Sequence, residues 1–344
     1  MSIEITERPL ITFALFAYNQ EKYVREAVEG AFSQTYSPLE IILSDDCSGD
    51  RTFEVIREMA SAYRGPHRII LNRNDRNLGI PGHVNRVMEL AAGEIIVAAA
   101  GDDISLAERC SRTVELWEVN RRVPSFLSFR FISFADGVNG PLKRSPRPRY
   151  DVHEVIREAD PYVTGATCAW HKRLFEVFGP LPEFLYEEDV LLAFRALILS
   201  DIAHADIPVV LKREHLGNTL SSHHPMYQGP RGQLLRSQQL LRRRIAALRA
   251  FGLTVQQAVE NGVLSPQRAR ELQGEIDLAI RARQLELDLN DHKFIVRLRA
   301  ALNLWTTPTV RKFSVRRKLF NLVTVFTPSL RETIRGAYGH KGLR

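Results

Sequence analysis

The chain has 344 residues, 44% of them hydrophobic, and a formal net charge of +7. That content builds an ordinary core and excludes a disordered chain, and the length suits one large domain with a smaller one. No run of 18 apolar residues appears, so no transmembrane helix is expected, and the opening MSIEITERPL lacks the basic-then-apolar order of a signal peptide. Cys47, Cys110 and Cys168 are far apart, odd in number and without metal-ligand spacing, which points to a reducing, cytoplasmic setting. The charge is uneven. Residues 231–344 hold 22 Lys/Arg and 8 Asp/Glu (+14), and residues 1–230 hold the other 25 and 32 (−7). This asymmetry sets an expected boundary near 230, and it makes the C-terminal part a candidate for contact with anionic lipid or another polyanion.

Residues 10–16, LITFALF, read as a first strand, broken by Ala17-Tyr18-Asn19-Gln20. A helix follows, with Val24, Ala27, Val28, Ala31 and Phe32 at helical spacing. Leu39 to Leu43 is a second strand, closed by Ser44-Asp45-Asp46-Cys47-Ser48-Gly49-Asp50, where Ser48 or Asp50 can cap the next helix. Arg68 to Leu71 is a third strand, Asn77-Leu78-Gly79 a turn, and Val84 to Ala91 a helix. The stretch GEIIVAAAGDD, Gly93 to Asp103, is a continuous apolar run that stops at two carboxylates. Such a run suits a central strand covered on both faces. Strand and helix thus alternate four times, which predicts an α/β fold with a mostly parallel sheet and helices on both faces.

Two of these strands end in paired acids, and ligands bind outside the carboxyl ends of strands in open α/β sheets. Asp45, Asp46, Asp102 and Asp103 are therefore expected to line one crevice. Adjacent carboxylates are costly there unless something positive is bound, and Mg²⁺ is commonly shared between carboxylates and phosphates. The plainer reading is a turn followed by a helix capped by Ser105. No GxGxxG follows a strand and no GxxxxGK[ST] occurs, so neither a dinucleotide fingerprint nor a P-loop is present.

Four pieces, AYNQEKYVREAVEGAFSQTY, LEIILSDDCSGDRT, NLG at 77–79 and AAGEIIVAAAGDD, stand in an order and spacing that resembles the nucleotide-sugar-binding half of the inverting family 2 glycosyltransferases, which have the GT-A fold. The resemblance covers about the first 105 residues. It implies that Asp46 contacts the nucleotide base with Asp45 beside it, and that Ala17, Tyr18 and Asn19 lie near base and ribose. It implies a DxD metal motif whose first position is Ala100 and whose second is Asp102. One acid is thus missing, and Gly101, Asp102 and Asp103 are left to meet the diphosphate and a Mn²⁺ or Mg²⁺ ion, with Asp102 the main ligand.

Beyond this half, residues 107–119 read as a helix, Phe126 to Phe134 as a strand, 136–150 as a mobile Pro-, Gly- and Arg-rich loop, and Val163 to Trp170 as another strand. Tyr186-Glu187-Glu188-Asp189 opens the helix VLLAFRALIL, where acids ordinarily answer the helix dipole. The resemblance makes Asp189 the general base and Glu188 an acceptor contact. Ile202 to Arg213 reads as a strand pair turning at Pro208, and His215 falls in the family's basic-x-His segment, as a metal or diphosphate contact. His223 and His224 follow in a Ser- and Pro-rich loop.

The resemblance fades beyond about 225. Residues 233–250 and 265–289 read as amphipathic helices that pair as a hairpin, and 311–326 set five basic residues beside an apolar run. The expected organisation is a GT-A domain over 1–230, divided at 105 and 106 into donor and acceptor halves, with a helical basic region over 231–344. The expected activity is transfer of a sugar from a nucleotide-diphosphate donor, UDP favoured, to a hydroxyl of a glycan or lipid-linked acceptor in cell-surface polysaccharide synthesis. The basic helices suit a cytoplasmic membrane face or a homodimer contact, and no nucleic-acid motif accompanies them. The alternative is a catalytically degenerate nucleotide-sugar-binding module whose basic tail binds a membrane or a partner.

Overall fold

The computed structural model describes residues 8–135, 138–143, 151–215, 227 and 229–289. Two of the expectations fall outside them: the His223-His224 pair and the basic and apolar run at 311–326. The chain divides into two compact units, Met1–Glu214 with Ala250–Gln273, and His215–Arg249 with Gly274–Arg344.

The first unit is built on one mixed sheet. Its opening strands are β1 (Ile11–Ala17), β2 (Leu39–Asp45), β3 (Arg68–Arg73) and β4 (Ile95–Ala100). They lie in the order β3-β2-β1-β4, all parallel. Every residue of β2 is buried, as a strand covered on both faces must be. The crossovers are α1 (Val24–Phe32), α2 (Thr52–Ala62) and α3 (Gly79–Leu90). On α1, Val24, Ala27, Val28 and Ala31 of the stripe that its spacing predicts are buried and Phe32 is partly buried, and α2 buries Ile56. The N-cap of α2 is Arg51, whose side chain caps nothing, and Asp50, one residue earlier, accepts from the Thr52 N–H (2.9 Å) and so meets the first N–H of the helix. The alternation read from sequence is therefore present strand for strand.

The second half of the sheet is mixed. It comprises β5 (Ile104–Ser105), β6 (Phe126–Ala135), β7 (Val138–Lys143), β8 (Ala169–His171) and β9 (Ile202–Arg213). The order continues β4-β8-β6-β9-β5, with β7 paired to β6. The pairs β4–β8 and β6–β8 are antiparallel, and β6–β9 is parallel. Between these strands stand α4 (Arg109–Val119), α5 (Val152–Glu158), α6 (Arg173–Phe178) and α7 (Glu188–Leu199).

Four sequence expectations are corrected here. Residues 138–143 of the supposed mobile loop form β7, because β6 offers them a pairing edge that composition does not reveal. Only a tight turn and a three-residue strand stand where Val163 to Trp170 read as one strand: a 3-10 turn at Gly165–Thr167 precedes β8. Ile202 to Arg213 is one strand and not a pair. The pairing with β6 slips between Phe129–Ala205 and Arg130–Pro208, and that irregularity absorbs the proline. Ser105 lies in β5 and caps no helix.

The helix α8 (Gly229–Glu260) is longer than the amphipathic stripe read from sequence at 233–250, and α9 (Pro266–Leu289) matches the stripe read at 265–289. Residues 250–273 complete the first unit. Phe251 stacks on Phe194 of α7 with ring centroids 3.9 Å apart, and Asn261 donates to the Val177 carbonyl (2.9 Å). In the second unit, Leu241, Ile245 and Leu248 of α8 and Ile276 of α9 are buried. Among the described residues no helix is long and apolar enough to cross a membrane.

Candidate active site

The parallel strands β1, β2 and β4 end side by side, and their terminal loops are tied together by backbone hydrogen bonds. The Asp46 N–H donates to the Ala17 carbonyl (2.9 Å), and the Gly101 N–H donates to the Phe16 carbonyl (2.9 Å). Asn19 sits at φ 52°, a left-handed conformation that asparagine tolerates, and its Oδ1 accepts from the Gly49 N–H (2.9 Å). Gly101 permits the close approach of the loops, since a Cβ there would fall 2.4 Å from Gln20 Oε1 and 3.0 Å from Ala17 Cβ. The structure thus brings Ala17, Tyr18, Asn19, Asp45, Asp46, Gly101, Asp102 and Asp103 to one end of the sheet.

The acids there differ in what holds them. Asp45 is fully buried and braces its own loop: it accepts from the Ser48 N–H (3.0 Å) and hydroxyl, and Arg73 Nε stands 3.5 Å away. Asp46 is buried and receives three N–H donors. Its Oδ1 accepts from Asn74 Nδ2 (2.8 Å) and the Leu78 N–H (2.9 Å), and its Oδ2 from the Gly79 N–H (3.0 Å). The Asn77-Leu78-Gly79 turn is therefore built around this carboxylate. Asp103 is also buried. Its Oδ1 accepts from the Arg213 N–H (2.8 Å), and Lys212 Nζ is 3.8 Å from its Oδ2. Burial pushes its carboxyl up to about 6, against the pull of Lys212 and with the help of the Asp102 charge. Asp102 is half-buried, and its carbonyl accepts from Arg213 Nε (3.1 Å).

Glu188 and Asp189 open α7 on the other side of β4. Both stand against the Gly165 turn: a Cβ on Gly165 would lie 2.6 Å from Glu188 Oε1 and 3.3 Å from Asp189 Oδ2. Burial holds the Asp189 carboxyl well above the ordinary carboxylate range, and the neighbouring Glu188 and Glu187 charges add to it. Burial raises Glu188 in the same way. The Gly165 turn reaches β4 through the Ala98 N–H, which donates to the Cys168 carbonyl (3.1 Å). Both acidic clusters are thus mounted beside the same strand. His215 lies two residues beyond β9, half-buried, and begins the second unit.

Several residues that serve this end of the sheet carry no signal in the sequence. Arg109 is buried, and its guanidinium reaches Ser105 Oγ (2.9 Å) and the carbonyls of Ala98 and Cys168. Burial lowers it to about 10, and it ties the β4 end to the Gly165 turn. Asn85 clamps the chain ahead of the α7 acids, exchanging hydrogen bonds with the backbone of Leu181 (2.9 and 2.7 Å). Tyr18, Tyr162, Phe184 and Tyr186 are the exposed aromatic side chains among the described residues, and each stands within three residues of Asn19, Gly165 or Asp189 or, for Phe184, five residues before Asp189. A cavity of about 290 Å³, lined by Leu106, Arg109, Arg112, Pro208 and Val209 among others, contains none of the predicted acids.

Among the described residues, no group of three or more His, Cys, Asp and Glu side chains is placed to hold a metal ion. Ala100 offers no oxygen from its side chain, and Asp103 is turned to Lys212 and Arg213. The donor set at this turn fits only an ion held by one carboxylate and completed by phosphate oxygens and water, as Mg²⁺ commonly is.

The model of glycosyl transferase family 2 matches residues 12–178. An uncharacterized glycosyltransferase of Methanocaldococcus jannaschii, MJ1057, is 30% identical over 43% of this chain and 50% of its own length. The Escherichia coli enzyme WfaP, a UDP-Glc:alpha-D-GlcNAc-diphosphoundecaprenol beta-1,3-glucosyltransferase, is 29% identical over 41% of this chain and 54% of its own. The chain therefore spans about half the length of these curated relatives. Two solved structures share the fold. Residues 1–349 of Staphylococcus aureus TarS, in complex with UDP-GlcNAc, superpose with a TM-score of 0.54 at 16% identity, over 95% of this chain and 92% of that one. The mannosyltransferase PcManGT of Pyrobaculum calidifontis, with GDP-Man and Mn²⁺, gives 0.51 at 18% identity, over 95% and 88%. The chain has the GT-A-like architecture of these structures, with its four parallel strands first and the mixed half after.

Proposed function

We propose that this chain is an inverting glycosyltransferase that moves a sugar from a nucleotide-diphosphate donor to a hydroxyl of a glycan or lipid-linked acceptor. The observation that carries the proposal is the pair of acidic clusters beside β4, one at the strand ends, where Asp102 is half-buried, and one holding the half-buried Asp189 carboxylate against Gly165. A UDP-sugar is favoured, in keeping with the donor and the undecaprenol-linked acceptor in the name of WfaP. Polysaccharide synthesis at a membrane face is the corresponding setting.

Asp46 accepts a hydrogen bond from the base, and the Ala17–Asn19 loop borders base and ribose. Asp102 would hold a Mn²⁺ or Mg²⁺ ion shared with the diphosphate, and such an ion, when bound, neutralises the charge that develops there. Glu188 orients the acceptor. Asp189 takes the proton of the acceptor hydroxyl as its oxygen attacks the anomeric carbon. The bond from that carbon to the diphosphate oxygen breaks on the opposite face, its electron pair leaves with the nucleoside diphosphate, and the configuration inverts. A base of raised pKa suits this step, because proton transfer is most effective when the base lies near the working pH.

The test is release of nucleoside diphosphate from UDP-sugars with a panel of glycan and lipid-linked acceptors, in the wild type, Asp102→Ala and Asp189→Asn. Loss of turnover in both variants supports the mechanism. Full activity in both rejects it. Ala100 favours a second reading, a module that binds the nucleotide sugar and transfers nothing. Nucleotide binding by the wild type without diphosphate release from any acceptor would establish that reading instead.

A further inference from the structure

Three of the four exposed aromatic side chains, Tyr162, Phe184 and Tyr186, border the α7 acids, and chain direction places them at the end of the sheet where β4 finishes. β8 runs antiparallel to β4, so the Gly165 turn ahead of it lies at that end. Tyr162 stands three residues before Gly165 at φ 58°, and its N–H donates to Asp160 Oδ1 (2.7 Å). β9 is parallel to β6 and β6 antiparallel to β8, so β9 runs the same way as β4. α7 finishes two residues before β9 starts, and its first turn therefore points back toward the Gly165 turn, where Glu188 and Asp189 meet it. Phe184 and Tyr186 come just ahead of that turn on a fixed stretch of chain. Asn85 holds Leu181, the Leu185 N–H donates to the Pro182 carbonyl (3.1 Å), and both leucines are buried. Phe184 and Tyr186 are turned outward from it, 47% and 48% exposed.

Rings left in water add little to the stability of the fold, and exposed apolar surface beside a cleft marks what the cleft binds. The charge around these rings narrows the choice. The stretch 179–189, GPLPEFLYEED, has four acids and no basic residue, and 151–162 has four acids and one arginine. The charges of Glu188, Glu187 and Asp160 all bear on Asp189. Such a field repels a phosphate or a uronic acid. It suits a ligand that only donates hydrogen bonds to carboxylates and is otherwise uncharged. A pyranose is of this kind: its C–H face fits the negative face of an aromatic ring, and the hydroxyls on its rim donate to carboxylates. A lipid chain asks for a continuous apolar surface, and Glu183 and Glu187 interrupt this one.

We propose that Phe184 and Tyr186, bordered by Tyr162, form an acceptor subsite that takes the face of an uncharged sugar ring. Glu187 and Glu188 then stand beside its hydroxyls, and Asp189 beside the one that reacts. The proposal rests on the reading of Asp189 as the acceptor-side base. It adds the chemical class of the acceptor next to that base, a neutral glycoside and not a phosphate-bearing polyol, a uronic acid or the lipid chain itself, and it names the side chains that select it.

The experiment measures transfer from UDP-sugars to the octyl glycosides of glucose, galactose, mannose and N-acetylglucosamine, and to octyl glucuronide and octyl 6-phosphoglucoside. It uses the full chain and Phe184→Ala, Tyr186→Ala and Tyr186→Phe. Saturation-transfer NMR with the matching methyl glycosides reads contact with the sugar ring without turnover and without a lipid-like tail. The wild type is expected to use at least one neutral glycoside, with kcat/KM at least about tenfold above either anionic one. Each alanine variant raises KM for that acceptor about tenfold, the worth of one ring contact, and leaves UDP affinity unchanged. Tyr186→Phe keeps the ring and most of the affinity. In the wild type, saturation reaches the ring C–H protons of a neutral methyl glycoside. The acceptor preference and the NMR contacts need no variant to fold. Preference for an anionic acceptor, alanine variants with the wild-type KM, or losses seen with octyl and not with methyl glycosides overturn the proposal, the last by assigning the rings to a lipid chain. Absence of saturation in every neutral methyl glycoside overturns it as well. A wild type that saturates a neutral glycoside and transfers to none overturns the transferase reading instead and leaves the subsite standing.

Discussion

Replacing Asp103 by Asn tests the electrostatics of the Asp102 turn. Asp103 is 4% exposed, and burial moves its carboxyl from 3.8 to about 6. A carboxyl raised in the folded state favours folding when protonated. Its contribution is whole below 3.8 and is lost as pH rises through about 6. A rise of about two pH units, at about 1.4 kcal/mol each, makes the ionised carboxylate cost about 3 kcal/mol above pH 6. Asn keeps an oxygen for the Arg213 N–H and removes the charge. The loss of the Lys212 contact, 3.8 Å from Oδ2, is already contained in that figure, because the pull of Lys212 holds the carboxyl lower than burial alone would. The net expectation is that Asp103→Asn is more stable than the wild type by about 3 kcal/mol at pH 8, a gain that shrinks toward zero at pH 4. Urea unfolding followed through the buried Trp117 and Trp170 reads this as a midpoint raised by roughly 0.5–1 M at pH 8. Equal midpoints at pH 8, or the same gain at pH 4 and pH 8, would refute the reasoning.

Asp189→Asn lowers kcat by about 10²–10⁴-fold while leaving nucleotide affinity unchanged, as measured by diphosphate release and calorimetry. Asp189 works ionised and its carboxyl is raised by burial, so wild-type kcat falls with decreasing pH through a value above the ordinary carboxylate range. A pH–rate profile with its acid limb at the ordinary value would contradict this. Gly165→Ala drives a methyl into Glu188 and Asp189 and should lower kcat/KM for the acceptor by at least about tenfold, while binding of the nucleotide alone stays intact. Phe251→Ala opens a cavity beside Phe194 and destabilises the first unit by about 3–5 kcal/mol, visible in thermal unfolding. If that unit melted unchanged, residues 250–273 would not belong to its core.

The amino-acid sequence by itself determined the first half of this protein. Its βα repeats are local: each strand is an apolar run, each helix a stripe at 3.6-residue spacing, and each boundary a cluster of turn residues. The place of Asp46 and Asp102 was legible because they follow the ends of β2 and β4 by one and two residues. The tertiary structure decided what depends on distant pairing. Residues 138–143 look like a loop until β6 lies beside them, and Pro208 looks like a turn until a register slip accommodates it. Phe251 looks like one more apolar position in a basic tail until it meets Phe194, 57 positions earlier in the chain. The same holds within the site. Asp45 and Asp46 are adjacent in sequence, and only the folded loop makes one a brace for Ser48 and Arg73 and the other the centre of the Asn77–Gly79 turn. Arg109 and Asn85 read as ordinary surface or helix residues. Each acquires its role by reaching an atom on another element, and a hydrogen bond of that kind leaves no periodic trace in the chain.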